Sequence, residues 1–270
     1  MTLSTIQRAT DMWERDTARR LDNLDVVIRW LMTETGQSSP VPADLRSKQL
    51  LMRALMNVRP PKPAPAELLR RQDEELRWQL ADKGIIEPQF TGLQVWQGDI
   101  TRLKVDAIVN AANSSMLGCF IPLHGCIDNA IHSAAGLQLR EACHKMMSEQ
   151  GHEARTGGAM ITPAYNLPSK YVIHTVGPII PDGHPTPEQE EQLASCYRSC
   201  LDMAEEYGLH SIAFCCISTG VFRFPRKRAA QIAVRAMTSH SLKSIDTIIF
   251  NTFKDEDNII YQQLIDEANA

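Results

Sequence analysis

Two thiols and an imidazole fall within eight residues of this chain. Cys119, His124 and Cys126 lie in G-C-F-I-P-L-H-G-C-I-D with the spacing C-x4-H-x-C. Thiolate and imidazole are the donors zinc prefers, and three of them leave one coordination position open. An open position is what a catalytic zinc needs and a structural zinc lacks. The competing readings are a closed structural site, completed by Cys143, Cys215, His132 or His144, and no metal at all, with the cysteines simply packing.

Four other segments carry candidate ligand chemistry. Asp99 in G-D-I-T can accept a hydrogen bond from an exocyclic amine, although a Gly-Asp pair is also ordinary turn chemistry. Asn110-Ala-Ala-Asn113 puts small residues and two amides at the end of an apolar run, as a ligand cleft or as an Asx turn. I-S-T-G-V-F-R-F-P, Ile217 to Pro225, can present backbone N–H groups to a diphosphate, with Phe222 and Phe224 as apolar faces for a sugar or base. It has neither the glycines of a P-loop nor a dinucleotide fingerprint, so a plain connection is the alternative. T-G-G-A-M-I-T-P, from Thr156, reads as a tight turn before a strand, and His174 further on reads as a satisfied core residue.

These segments need elements to position them. Residues 1–88 are expected to form a helical extension: Leu21, Leu24, Val27, Ile28 and Leu31 recur at helical spacing, as do Leu50, Leu51, Ala54, Leu55 and Val58. Pro40 and Pro42 punctuate the two runs, P-P-K-P-A-P from Pro60 makes a stiff linker, and Glu67–Ala81 is a further helix. Packing against the rest of the chain is the expected role of this extension, with a protein-interaction module as the alternative.

Over residues 89–270 strands alternate with helices. The expected strands are Leu93–Gln97, Ala107–Asn110, Ala159–Thr162, Tyr171–Val176, Ser211–Ile217 and Thr247–Thr252. The expected helices are Cys126–Ala135, Leu137–Gln150, Pro187–Tyr207, Pro225–Ser241 and Glu256–Asn269, with Pro187 and Pro225 in first turns. Such alternation predicts a parallel or mixed sheet with helices on both faces.

Composition sets the bounds. The 270 residues carry 43% hydrophobic and 22% charged residues, the balance of a globular chain. A net charge of −4 argues against nucleic-acid binding by bulk electrostatics. No apolar run approaches the roughly 20 residues of a membrane helix, and the charged N-terminus lacks the apolar core of a secretory signal. Seven cysteines without a disulfide pattern point to a reducing, cytoplasmic setting. A monomer is expected.

Taken together, G-D-I-T, V-D-A-I-V-N-A-A-N-S-S-M-L-G, D-N-A-I-H-S-A-A-G, T-G-G-A-M-I-T-P-A-Y-N-L-P-S-K-Y-V-I-H-T-V-G-P and I-S-T-G-V-F-R-F-P resemble the macrodomain family of ADP-ribose-binding modules. They run in family order over about 93–260. One departure marks the subtype: C-F-I-P-L-H-G-C stands where macrodomain hydrolases usually carry a glycine run. In this the chain resembles the zinc-dependent macrodomains, microbial enzymes with an N-terminal helical extension that remove ADP-ribose from modified proteins.

The resemblance implies a three-layer α/β/α fold with a mixed central sheet. It implies that Cys119, His124 and Cys126 hold Zn2+, that Asp99 meets the adenine amine beside the Ile100 backbone, and that Asn113 faces the distal ribose. Asp128 would lie near the scissile bond as general base or water-positioning group. Ser218, Thr219, Gly220, Val221 and Phe222 would wrap the diphosphate and distal ribose, with Phe253 beside the adenine. The implied activity is hydrolysis of mono-ADP-ribose from protein side chains. A non-catalytic ADP-ribose reader and an O-acetyl-ADP-ribose deacetylase use the same pocket and are the alternatives.

Overall fold

The strand periodicity of residues 89–270 resolves into one mixed sheet in the computed structural model, which describes residues 3–269, with side chains from 14 to 268. Residues 1 and 2 of the expected helical extension therefore lie outside the described residues. The strands are β1 (Gly92–Gln97), β2 (Ala107–Ala112), β3 (Ala159–Pro163), β4 (Tyr171–Val176), β5 (Ser211–Phe214) and β6 (Thr247–Thr252). Their spatial order is β1-β6-β5-β2-β4-β3. All neighbouring pairs are parallel except β3 with β4.

The first three helices are α1 (Leu3–Glu34), α2 (Leu45–Val58) and α3 (Ala66–Lys83). Next come α4 (Ile127–Ala135), α5 (Leu137–Gln150), α6 (Pro187–Glu206), α7 (Arg226–Ser239) and α8 (Asp255–Asn269). Helices α4 and α5 pack together, as do α6, α7 and α8, so that helices cover both sheet faces in the three-layer arrangement of a macrodomain. Buried strand residues such as Ile108, Val109, Ile173, Ile212 and Ile249 fill the space between the layers. Both faces being covered explains why these strands read as nearly continuous apolar runs.

Local chemistry sets the boundaries. Thr186 opens α6 with a capping box to Gln189, satisfying N–H groups that the helix itself cannot. Cys126 is the N-cap of α4 rather than its first helical residue, and Pro225 likewise precedes α7. Strand β5 ends at Phe214, not at the expected Ile217. Its ladder with β6 covers Ser211 to Phe214, and with β2 only Ile212 and Ala213. Cys215 and Ile217 remain buried as loop residues, so their apolar character came from the core and not from a strand.

Helices α1 to α3 have a core of their own, in which Leu24, Val27, Ile28 and Leu31 meet Met52, Leu55 and Leu76. Leu137 of α5 belongs to that core and ties the extension to the sheet body. Asp44 caps α2 through Ser47 N, at 2.8 Å. A buried Arg20–Glu75 pair joins α1 to α3 at 3.2 Å. No helix among the described residues is long and apolar enough to cross a membrane.

Candidate functional site

Strand order decides what the sheet's carboxyl edge presents. Strands β1, β6, β5 and β2 lie side by side and run parallel, so their carboxyl ends share one edge. Asp99 follows β1, Phe253 follows β6, the loop with Ser218 to Phe222 follows β5, and Asn113 follows β2. Three gaps of roughly 4.8 Å make this row about 14 Å long. Open parallel sheets bind ligands at this edge.

At the β1 end, Asp99 caps a short 3-10 turn (Ile100–Arg102). Its Oδ1 accepts from Thr101 N at 3.0 Å and Thr101 Oγ1 at 2.6 Å. Its Oδ2 accepts from Lys83 Nζ of α3 at 3.0 Å. Burial pushes this carboxyl upward, but the Thr101 and Lys83 bonds outweigh it and hold it below the usual range. Beside it, Phe253 is 77% exposed.

The loop after β5 is closed on itself. Phe224 N donates to Ser218 O at 3.0 Å and Arg223 N to Gly220 O at 3.1 Å, while Ile180 N donates to Phe222 O at 2.8 Å. Ser218 and Arg223 take left-handed φ values of 64° and 59°. Among the described residues, the N–H groups of Ser218, Gly220, Val221 and Phe222 donate to no backbone carbonyl. A run of free N–H groups in a tight turn attracts an anion. Of the two aromatic residues expected to face a ligand, Phe222 is half-buried on the loop. Phe224 is 2% exposed and belongs to the core, which corrects its assignment.

Gly177 after β4 makes room for that loop. A Cβ there would lie 2.0 Å from Ser218 Oγ and 2.8 Å from Ile217 Cγ2. Gly177→Ala is therefore expected to lose about 1–3 kcal/mol by overpacking and to displace Ser218. Thermal melts of the variant, alongside titration with a nucleoside diphosphate, check both effects.

At the β2 end, Asn113 organises the following turn. Its Oδ1 accepts from Ser115 N at 3.1 Å and Ser115 Oγ at 2.6 Å, and its Nδ2 donates to Gly118 O at 3.1 Å. Thus the Asx-turn role holds, and one amide hydrogen stays free. Then comes the loop with Cys119, His124 and Cys126, whose ligand atoms all lie within 4.8 Å of one another. Cys119 Sγ and His124 Nδ1 are 3.6 Å apart. Bonds of about 2.3 and 2.05 Å at a tetrahedral angle also give about 3.6 Å between S and N, so this donor set fits zinc. Among the described residues, no fourth Cys, His, Asp or Glu joins the trio.

His132 and Cys143, two residues able to close that set, instead cluster with His174 in the core. There His174 takes Thr162 Oγ1 at 2.9 Å and Asn110 Nδ2 at 3.2 Å, so it is the satisfied core histidine the sequence suggests. Asp128, in the first turn of α4, is 6% exposed. Its Oδ1 accepts from Asn110 Nδ2 at 2.8 Å. Burial pushes its carboxyl up to about 6 against the pull of that bond and of Arg140. A buried carboxylate with one oxygen held and a perturbed affinity for protons is a general-base candidate by its physics.

Sequence reasoning missed several residues that shape this edge. Lys83 pairs with Asp99, and Arg53, Asn57 and Arg140 touch the Cys119–Cys126 loop. Only Arg140 left a signal: it lies on the Leu137–Cys143 stripe of α5, where an apolar residue is expected.

The Macro domain family model matches residues 109–233. A protein from Treponema medium named "Protein-ADP-ribose hydrolase" is 52% identical over 237 residues, covering 83% of this chain and 90% of its own. An Oceanobacillus iheyensis macrodomain solved with ADP is 39% identical with a TM-score of 0.58, over 65% of this chain and 90% of its own. A Trypanosoma brucei macrodomain solved in complex with ADP-ribose is 30% identical with a TM-score of 0.55, over 88% of this chain and 86% of its own.

Proposed function

This chain belongs to the macrodomain family, and from that premise we propose that it is a zinc-dependent hydrolase that removes mono-ADP-ribose from modified protein side chains. The observation that carries the reading is the order of groups along the sheet edge. Acid, exposed aromatic, free N–H groups, amide and metal donors follow one another as adenine, diphosphate and distal ribose do along ADP-ribose.

In this reading Asp99 Oδ2 accepts from the adenine amine, taking a place that Lys83 now shares, with the Ile100 backbone beside it. Phe253 stacks on the base. Ser218, Thr219, Gly220, Val221 and Phe222 enclose the diphosphate and reach the distal ribose. The free N–H groups supply the positive field, because an overall charge of −4 cannot. Asn113 directs its remaining amide hydrogen to the ribose. This remote binding energy holds the anomeric carbon at the β2 end, where the reaction takes place.

The bond to be broken joins that carbon to a protein side chain, and water replaces the side chain there. Cys119, His124 and Cys126 would hold zinc, which when bound supplies Lewis acidity beside the sugar. Asp128 takes a proton from the attacking water while Asn110 fixes one of its oxygens. The bonding pair leaves with the side chain, and the proton passes from Asp128 to that leaving group or to solvent. Burial keeps that carboxylate basic enough to do so near neutral pH.

Incubation with mono-ADP-ribosylated protein, with and without a chelator, tests the reading. Free ADP-ribose detected by liquid chromatography is the expected product. Its release should stop with chelator and return with added Zn2+. Tight binding of ADP-ribose without release would identify a reader instead. Release that persists in fully demetallated protein would confine the metal to structure.

A further inference from the structure

We propose that the N-terminal helices are part of the metal site, with Arg53 and Asn57 of α2 acting as positioning residues for the Cys119–Cys126 loop. The inference rests on the reading that this loop holds zinc. The loop has little apolar anchorage of its own. Phe120, Ile121 and Leu123 are 40, 58 and 43% exposed, so burial of its large side chains does not hold it down. Leu123 also takes a left-handed φ of 55°, a conformation that costs a bulky residue energy and persists only where surroundings enforce it.

Polar groups of α2 supply the enforcement. Asn57 Oδ1 accepts the Leu123 N–H at 3.0 Å, and its Nδ2 donates to Ser133 Oγ of α4 at 2.9 Å. Arg53 reaches two targets at once. Its Nη2 and Nε donate to Asn129 Oδ1 at 2.7 and 3.2 Å, and Nη2 also donates to His124 O at 3.3 Å. Asn129 continues the chain, giving its Nδ2 to Ile121 O at 3.0 Å and its backbone N–H to Cys126 Sγ at 3.4 Å. Two of the three ligand residues are thus braced from α2 through Arg53.

The third is braced through Arg140. This arginine donates to the carbonyls of Met56, Asn57 and Arg59 at the C-terminal end of α2, where carbonyls are unpaired and the helix dipole favours a cation. From there its Nη2 reaches Cys119 O at 3.4 Å, and its guanidinium lies 4.2 Å from the Phe120 ring centroid. Partners that orient metal ligands from behind raise metal affinity, and their loss commonly costs 10- to 100-fold.

Arg53→Ala is the test, because Arg53 is only half-buried and its loss leaves the cores intact. Zn2+ affinity is measured by competition with a chromogenic chelator, ADP-ribose affinity by calorimetry, and stability by thermal melt. Leu68→Ala, deep in the core of the extension, serves as a control that lowers stability without touching the loop. Arg53→Ala should weaken Zn2+ binding about 10-fold or more and leave ADP-ribose affinity within about twofold. Arg53→Lys should recover only part of the loss, since one ammonium cannot match the guanidinium fork. Leu68→Ala should melt earlier and bind Zn2+ as the parent does. Unchanged Zn2+ affinity in Arg53→Ala, or an equal loss in Leu68→Ala, overturns the proposal. A parent protein that binds no stoichiometric Zn2+ removes the metal reading itself and this proposal with it, a result distinct from either.

Discussion

Replacing Cys126 with Ser is expected to strip the metal and to lower turnover of ADP-ribosylated protein at least about 100-fold, the equivalent of roughly 3 kcal/mol in the barrier. Serine is the informative choice because Cys126 has two jobs. Its sulfur is one of the three proposed donors, and it also caps α4 by accepting from Asn129 N. A serine hydroxyl caps a helix at least as well, whereas it is a poor ligand for zinc compared with a thiolate. The start of α4 and the position of Asp128 should therefore survive the exchange, and the metal should not. Three measurements separate the effects: zinc content by mass spectrometry, ADP-ribose affinity by calorimetry, and kcat on modified protein. Affinity should stay within about threefold, because the proposed base and diphosphate contacts lie at the other strands. Metal lost with kcat within fivefold of the parent would remove zinc from the chemistry.

The elements of this edge were legible because each motif sits where a strand ends. Ala107 to Val109 is apolar and Asn113-Ser-Ser follows, so a strand and a turn were both expected here, although β2 runs on through Ala112, two residues past the expected end at Asn110. The same logic failed at β5. Ile212 to Ile217 is apolar, yet β5 leaves the ladder after Phe214 although its neighbours β6 and β2 continue to Thr252 and Ala112, and an apolar run does not say where the chain turns away. Phe224 misled for a related reason. An aromatic residue in a polar loop suggests a ligand face, yet its backbone closes the loop onto Ser218 and points the ring inward to the core.

What the sequence withheld was adjacency. The pattern predicts six strands but not that β6 lies between β1 and β5, which sets Phe253 between Asp99 and the free N–H groups. Likewise, Arg53 and Asn129 are 76 residues apart, and nothing in either segment names the other. Lys83 belongs to the extension, yet it pairs with the acid at the far end of the same edge. The helices therefore touch both ends of the row, so an appendage by sequence is a frame in space. The cluster of Cys119, His124 and Cys126 was legible because the three fall within eight residues, while the groups that brace their loop come from distant segments.

Asp128→Asn should lose about 10²- to 10⁴-fold in kcat, the range for removing a general base, while gaining stability. The two effects have one cause. Asp128 is 6% exposed, and burial lifts its carboxyl from 3.8 to about 6. A carboxyl whose folded value is raised binds its proton more tightly in the folded state. Stability then falls as pH rises from about 4 to about 6, and above that the charged form costs on the order of 3 kcal/mol. Asparagine keeps the shape and can still accept from Asn110 Nδ2, but it carries no charge to bury. With both proteins stripped of metal, the variant should consequently melt higher than the parent at pH 7.5, and the gap should shrink toward pH 4. Turnover within tenfold of the parent would refute the assignment of Asp128 as base, and an unchanged melting temperature would refute the buried charge that explains it.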